Sequence, residues 1–170
     1  MLQTFTEIVD EIYNEVSNLE PFEKGTTRIS SVAFSILYRM FELGLTRKQM
    51  NAILTHQDSP YIRALGVIYL RYLAPPDQLW EWVSPLLDDT EEFSPTTDES
   101  KTMTMSAWVE GILTENRFEG TVFPRIPVAV EREIKVQLLR RKSERQSTAS
   151  LAPGMIVRAM YSEASFFCLA

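Results

Sequence analysis

SPYIRALGVIYLRYLAPP, residues 59–76, is the stretch of sequence that decides the fold. Ser59 offers a side-chain acceptor at a helix N-cap, and Pro60 has the backbone torsion that a first helical residue needs. Pro75, the first of two prolines, ends the helix because it lacks the amide donor that a helix interior requires. The residues between are apolar all round the axis, which predicts a central helix at about 60–73 that is buried on most sides.

Capping signals predict further helices on both sides of this segment. Thr4 with Glu7, and Thr46 with Gln49, have the three-residue spacing of a capping box, in which each side chain satisfies a backbone donor. Gly44 suits the left-handed residue that ends many helices. The predicted helices begin after Thr4, Ser30 or Ser31, Thr46, Ser59, Asp77, Thr104 and Val128.

The remaining segments carry loop signals. Residues 88–100 are acidic and rich in Ser and Thr, so we expect a solvated loop there. Residues 123–128 contain two prolines, which predicts a short stiff segment. No strand pattern of any length is present. The predicted fold class is therefore all-α, an irregular bundle of about seven helices around the buried helix at 60–73.

The formal net charge of −6 is unevenly spread along the 170 residues. Residues 1–100 contain 7 Lys and Arg against 16 Asp and Glu, whereas residues 101–170 contain 10 against 7. Because phosphate neutralisation supplies most non-specific nucleic-acid affinity, an acidic body is poorly suited to bind RNA alone. A weak RNA contact would use the basic helix with Arg140, Arg141 and Lys142. The other interpretation is that this basic run is a solvated helix end. Cations near the C-terminus of a helix interact favourably with the helix dipole.

The sequence offers little chemistry for catalysis. One histidine and one cysteine cannot build a His- or Cys-based zinc site, and the six glycines form no P-loop, dinucleotide-binding or nucleophile-elbow motif. His56 lies near Asp58 and Ser59, but a histidine in the last turn of a helix is explained by the helix dipole. The spacing of the 23 acidic residues singles out no catalytic pair. We predict no enzyme activity, cofactor, metal, small-molecule substrate or membrane-spanning segment.

Several short stretches carry a resemblance to a known family. They are VDEIY at 9–13, EPFEKG at 20–25, LTRKQ at 45–49, THQDSPYIRALG at 55–66, YLRY at 69–72, PP at 75–76, LWEW at 79–82 and FPRIPV at 123–128. From about residue 5 to 138 the chain resembles the pre-mRNA-splicing factor 38 family, and its B-type member more than its A-type member. The stretch at 55–66 is the most specific of these matches.

The resemblance implies an all-helical, nuclear, non-enzymatic spliceosomal protein. Family members act as scaffolds around the tri-snRNP and the activation of the spliceosome, with helical segments of other splicing proteins docking on the domain. We therefore expect a scaffold or adaptor within snRNP assemblies, whose protein partners dock in grooves between helices. The expected splicing-factor domain covers residues 1–142, and a C-terminal tail covers residues 143–170. Its final part, 151–170, matches nothing recognised in the family.

Two arginines of the predicted central helix are candidate site residues. Arg63 and Arg71 lie eight positions apart and project to similar sides of the helix. In one interpretation they pair with carboxylates such as Asp58 or Glu81 and fix the helix packing. In the other, Arg63 helps to present a groove or holds an acidic segment of a partner. Tyr61 is a further candidate protein-binding residue on this helix. A buried arginine without any partner would be costly, so one interpretation must hold.

Aromatic residues and the proline segment supply the other candidates. Tryptophan is more often a core residue than an interface residue, but it is enriched at interface hot spots. Adjacent turns of one helix cannot bury both Trp80 and Trp82 equally. The segment 123–128 lacks two backbone donors, so it suits either a strap that covers the core or a docking edge. The candidate protein-binding residues from these segments are Trp80, Trp82, Phe123, Arg125 and Ile126.

Overall fold

The structure, a computed structural model, describes residues 4–25, 28–98 and 100–150. These residues contain seven α-helices, a 3₁₀ helix at Ser84–Asp88 and four strands of two residues each. The helices are α1 Phe5–Glu15, α2 Val32–Leu43, α3 Arg47–Leu54, α4 Pro60–Leu73, α5 Leu79–Val83, α6 Met105–Thr114 and α7 Val128–Ser150. The strands are β1 Glu92–Phe93, β2 Met103–Thr104, β3 Arg117–Phe118 and β4 Thr121–Val122. The predicted all-α bundle of about seven helices is confirmed.

Helix α4 is the central element, as the sequence predicts. Every residue from Ile62 to Arg71 is buried, and α4 packs against α1, α2, α3, α5 and α6. Gly66 allows α3 to approach closely, because a Cβ built on it would lie 2.6 Å from Cγ2 of Ile53. The absence of a side chain at Gly66 therefore sets the spacing of α3 and α4.

The predicted caps form with their expected partners. Thr4 and Thr46 both complete capping boxes, and the Ser59 hydroxyl accepts the amide of Tyr61 at 3.2 Å. Ser31, one of the two predicted caps of α2, accepts the amide of Phe34. Gly44 ends α2 at a φ of 63°, the left-handed conformation that glycine adopts at little cost.

The predicted cap at Asp77 is wrong. Helix α5 begins at Leu79 after Gln78, which makes no side-chain cap, and it is only five residues long. Pro85 explains the short length, because it has no amide to donate to the carbonyl of Glu81. The chain continues from α5 as the 3₁₀ helix, whose Leu86 is buried.

The expectation of a solvated loop over 88–100 holds only in part, because residues 88, 90–92, 97 and 100 are exposed but the middle of the segment is buried. Phe93 and Ser94 are only 5% and 9% exposed, and β1 pairs antiparallel with β2. The carbonyl of Pro95 accepts the amide of Leu19 at 2.8 Å, which ties this segment to the chain after α1. Strand β1 has only two residues, which is too short to give a periodic pattern of apolar residues. The sequence therefore does not predict it.

Two compact units divide the chain, with a boundary between Glu131 and Arg132. The first unit contains α1 to α6 and all four strands. In the second unit the described part is the continuation of α7 to Ser150. The helix runs without a break through 142 and 143, where the sequence analysis places a domain boundary, and that boundary stays a prediction. Residues 151–170 lie outside the described part. No helix in the described ranges has the length and apolar character needed to cross a membrane.

Candidate protein-interaction surface

An apolar groove lies between α2 and α4, and we name it the α2–α4 groove. Its volume is about 590 Å³. It is lined by Phe34, Ser35, Leu37, Tyr38 and Phe41 of α2, Tyr72 of α4, Thr121 of β4, and Ser30, which precedes α2. None of these lining side chains carries a charge at neutral pH.

The spacing of aromatic residues on α2 builds one wall of the groove. Phe34, Tyr38 and Phe41 stand at positions i, i+4 and i+7, which share one face of a helix. The opposite face of α2 packs into the core through Ala33, Ile36 and Met40, all of them buried. Tyr38 remains 64% exposed, so this wall presents a large aromatic ring to solvent.

Aromatic contacts connect that wall to α4. The ring of Phe41 lies 5.2 Å from the ring of Tyr69 and 5.9 Å from the ring of Tyr72, the second pair in an edge-to-face arrangement. The hydroxyl of Tyr69 accepts the amide of Leu45 at 3.2 Å, which satisfies its polar end. Such ring pairs contribute about 0.5–1.5 kcal/mol each beyond the apolar area that they bury.

Arg71 and Phe123 support the groove from behind. Tyr72 makes an edge contact with Phe123 at 5.1 Å, and the guanidinium of Arg71 lies 5.0 Å from the Phe123 ring centre. Arg71 is 3% exposed and donates to the carbonyls of Ile112 and Pro124 and to the side chain of Asn116. Burial lowers the pKa of Arg71, and Tyr72 opposes that shift. Arginine nevertheless keeps its charge in proteins, so these donors remain in place.

The segment 123–128 covers the core beside Arg71. Phe123 and Ile126 are buried at 3% and 4% exposure, whereas Arg125 is exposed. The arrangement matches the covering strap, one of the two alternatives that the sequence leaves open. Of the three predicted binding residues in this segment, Arg125 is the one that reaches the surface.

Arg63 is buried and bonded, but to other partners than those predicted. Its guanidinium contacts the carboxylates of Asp89, at 3.0 Å from Nε, and Glu91, and it donates to the carbonyl of His56. The contact from Nε to Asp89 is an ion pair without an aligned hydrogen bond. Asp58 or Glu81 was the expected partner, whereas the carboxylates that pair with Arg63 lie in the segment 88–100, which was predicted to be a solvated loop.

The two predicted carboxylate partners of Arg63 lie elsewhere. Glu81 forms an exposed pair with Arg47 at 3.2 Å, and Asp58 lies 3.8 Å from the imidazole of His56. Tyr61 donates its hydroxyl to the carbonyl of Ser94. Arg63 and Tyr61 therefore both anchor the 89–94 segment on the start of α4.

Trp80 and Trp82 are each partly exposed on α5. The guanidinium of Arg47 lies over the Trp82 ring at 4.9 Å. On α7, Arg140 and Lys142 are exposed and Arg141 is partly buried. Trp80 and Trp82 do not line the α2–α4 groove. The roles of these tryptophans in partner binding and of the α7 cations in RNA binding stay predictions.

The residues that line the groove escaped the sequence analysis for a clear reason. From the sequence, α2 is predicted only as a helix that begins after Ser30 or Ser31, and none of its aromatic residues is a candidate site residue. The i, i+4, i+7 aromatic spacing was the available signal. Within the described residues, no group of three or more His, Cys, Asp or Glu side chains could hold a metal ion.

The described residues form an all-α domain that carries an uncharged aromatic groove. Residues 1–136 match the model of the PRP38 family, and the chain belongs to that family. It is 47% identical to Pre-mRNA splicing factor SR-like 1 of Arabidopsis thaliana, in an alignment that covers 78% of this chain and 34% of that protein. It is 41% identical to Pre-mRNA-splicing factor 38B of Homo sapiens, over 82% of this chain and 29% of that protein.

A solved structure shares the fold. A chain in the crystal structure of the Snu23-Prp38-MFAP1(217-258) complex of Chaetomium thermophilum superposes with a TM-score of 0.69 at 18% identity, covering 87% of this chain and 82% of that chain. The chain is therefore similar to that solved structure in fold, in addition to its similarity to the PRP38 family in sequence. The chain spans only 29% to 34% of the length of the relatives named above.

Proposed function

We propose that this chain is a nuclear spliceosomal scaffold that docks an amphipathic helical segment of another splicing protein in the α2–α4 groove. The observation that carries the proposal is the aromatic wall of α2, in which Tyr38 is 64% exposed beside Phe34 and Phe41. Helix-in-groove recognition uses apolar side chains at i, i+3, i+4 and i+7 of the docked helix. An uncharged groove of this kind accepts those side chains without desolvating an ion.

Membership of the PRP38 family supports the splicing role, and the names of the relatives at 41% and 47% identity agree with it. The structural neighbour is found in a complex with Snu23 and a segment of MFAP1. We extend that mode of assembly to this chain, with spliceosomal proteins as its partners and a place around the tri-snRNP and spliceosome activation. Its role is to bind, and no catalytic step is assigned to it.

Affinity capture with matched tyrosine variants tests the proposal. The full chain, the Tyr38→Glu variant and the Tyr13→Glu variant are used as baits in nuclear extract with and without nuclease treatment, and bound proteins are identified by mass spectrometry. Tyr13 is a suitable control because it is also exposed, at 57%, but lies on α1 outside the groove. A charge in the groove is costly to desolvate, so splicing proteins bound by wild type and Tyr13→Glu should be lost from Tyr38→Glu.

Equal capture by all three baits would contradict docking in this groove. Loss of every captured protein on nuclease treatment would instead favour the RNA-binding alternative. In that case RNA affinity should fall steeply with salt and disappear when Arg140, Arg141 and Lys142 are neutralised.

A further inference from the structure

A second groove lies on α6, and we name it the Trp108 groove. It has a volume of about 300 Å³ and shares no lining residue with the α2–α4 groove. Its lining includes Thr96, Ala107, Trp108, Gly111, Glu115 and Glu119. That volume is at the low end of the range for small-molecule pockets, ~300–1,000 Å³, and suits a few side chains of a peptide.

Trp108 lines this groove with an unsatisfied donor. The residue is 4% exposed, and its indole Nε1 has no hydrogen-bond partner in the described part of the chain. Its ring is held by edge-to-face contacts with Phe93 at 5.7 Å and Phe118 at 6.1 Å. An indole N–H can only donate, so it calls for an acceptor such as a carbonyl oxygen.

Thr96 adds a second polar atom to the same groove. Its Oγ1 is buried and likewise has no hydrogen-bond partner among the described residues. A threonine hydroxyl can both donate and accept, so it can bond to either polar group of a peptide unit. A buried polar atom without a partner requires an explanation, and a ligand that supplies the missing partner is one such explanation.

Small residues of α6 leave room for a backbone to approach. Gly111 has no atom within 4 Å of the place where its Cβ would lie, and Ala107 is one helical turn before it. Gly66, by contrast, is packed tightly against α3. The open space at Gly111 is therefore not required by the fold and is available to a partner.

The charged residues of the lining define the partner further. Glu115 and Glu119 are exposed carboxylates, and Arg117 is the one cationic side chain in the lining. The first hundred residues are also acidic, with 16 Asp and Glu against 7 Lys and Arg. Charge complementarity therefore favours a basic segment, and it disfavours RNA at this face.

We propose that the Trp108 groove binds a short basic peptide segment of a partner protein, with a backbone carbonyl of that segment accepting the indole N–H of Trp108. The basic side chain of the segment lies toward Glu115 and Glu119, and its backbone crosses α6 at Gly111. This surface is independent of the α2–α4 groove, so the chain has two separate places for partner proteins.

Peptide selection on the full chain tests this proposal. A phage-displayed library of random twelve-residue peptides is selected on the wild-type chain, and the most enriched peptide is synthesised with a fluorescent label. The expected result is enrichment of Lys or Arg and a downfield shift of the Trp108 indole N–H proton in NMR spectra on addition of the peptide. The resonance is assigned with the Trp108→Phe variant.

Glycine variants then locate the binding site. Gly111→Gln places a side chain in open space and should weaken peptide binding by at least about tenfold, as blocking the centre of an interface does. The control Gly25→Gln makes the same change at a loop glycine that also has nothing within 4 Å, and it should leave affinity unchanged. Glu115→Lys should weaken binding by roughly twofold to fivefold at low salt and less at high salt.

Four results would overturn the proposal. They are failure to enrich any peptide, a consensus without basic residues, unchanged affinity of Gly111→Gln, and self-association of the wild-type chain that Gly111→Gln abolishes. Thermal unfolding followed by circular dichroism checks that Gly111→Gln remains folded. If it does not, the Glu115→Lys result decides, since that exposed position is not part of the core.

Discussion

The guanidinium of Arg71 lies 5.0 Å from the centre of the Phe123 ring and donates to the carbonyl of the next residue, Pro124, at 2.6 Å. One side chain of the central helix therefore holds both the ring and the backbone at the start of the strap. Since Phe123 also contacts Tyr72, the same arginine fixes one wall of the α2–α4 groove. Both the packing of the core and the proposed docking surface therefore depend on the buried guanidinium of Arg71.

Arg71→Met is expected to destabilise the chain by roughly 2–4 kcal/mol, because it leaves the buried carbonyl of Ile112 and two partly buried acceptors, on Pro124 and Asn116, without their donor. Urea unfolding followed by circular dichroism measures this loss. The control Arg47→Met removes an arginine whose side chain is 72% exposed and paired with Glu81, and it should cost less than about 1 kcal/mol. Equal losses for the two variants would show that Arg71 is not a structural support.

Gly66→Ala and Gly111→Ala should shift stability in opposite directions. At Gly66 the new Cβ meets Ile53 at 2.6 Å, on a branched side chain with little freedom, so we expect a loss of about 1–3 kcal/mol. At Gly111 the space is open, and alanine should stabilise α6 by about 0.5–1 kcal/mol through helix propensity. Thermal unfolding of both variants measures the difference. Stabilisation by Gly66→Ala would contradict the close approach of α3 to α4.

A double-mutant cycle tests the buried pair formed by Arg63 and Asp89. Arg63→Met should cost roughly 2–4 kcal/mol, since it leaves the carboxylates of Asp89 and Glu91 without their partner. Asp89→Asn should cost less, because Glu91 still compensates the charge of Arg63. The two losses should be non-additive by about 1–2 kcal/mol, which is typical of residues in one network. Strict additivity in urea unfolding would contradict the ion pair.

Glu20 is expected to contribute a pH-dependent part of stability. Burial raises its pKa, but hydrogen bonds from Thr97 and the positive charges of Lys24 and Lys101 outweigh burial, so the pKa is lower than the ordinary 4.5. A carboxyl with a lowered pKa in the folded state stabilises the fold fully above its ordinary pKa, and this stabilisation is lost as pH falls through the folded-state value. Wild type should therefore lose stability on acidification more steeply than Glu20→Gln.

Urea unfolding at a series of pH values between neutral and strongly acidic measures that difference. The stability gap between wild type and Glu20→Gln should be largest above pH 4.5 and should close at the acidic end of the series. If the difference in unfolding free energy between the two proteins stayed constant across the pH series, the charge of the Glu20 carboxylate would not contribute to its hydrogen bond with Thr97.

The helices were predictable because their signals are local. The caps at Thr4, Thr46 and Ser59 each lie within three residues of the amide they bind, and the apolar run of α4 determines its burial. The partners of Arg63 were not predictable in the same way. Asp89 lies in an acidic segment without periodicity, and only the folded chain shows that this segment crosses the start of α4.

The groove was only partly predictable for a related reason. Arg71 and Phe123 were identified as candidates, but their burial behind Tyr72 depends on contacts between residues about fifty positions apart in sequence. The exposed face of α2 carries its own signal in the spacing of Phe34, Tyr38 and Phe41. That signal indicates a groove only when the position of α4 is known.

Site-specific photocrosslinking tests docking in the α2–α4 groove most directly. p-Benzoylphenylalanine is placed at position 38, or at position 13 as the control, and each chain is irradiated in nuclear extract. Crosslinks from position 38 to helical segments of splicing proteins, absent from position 13, are the predicted result. Crosslinks from position 38 to RNA alone, or the same protein crosslinks from both positions, would contradict the docking role of this groove.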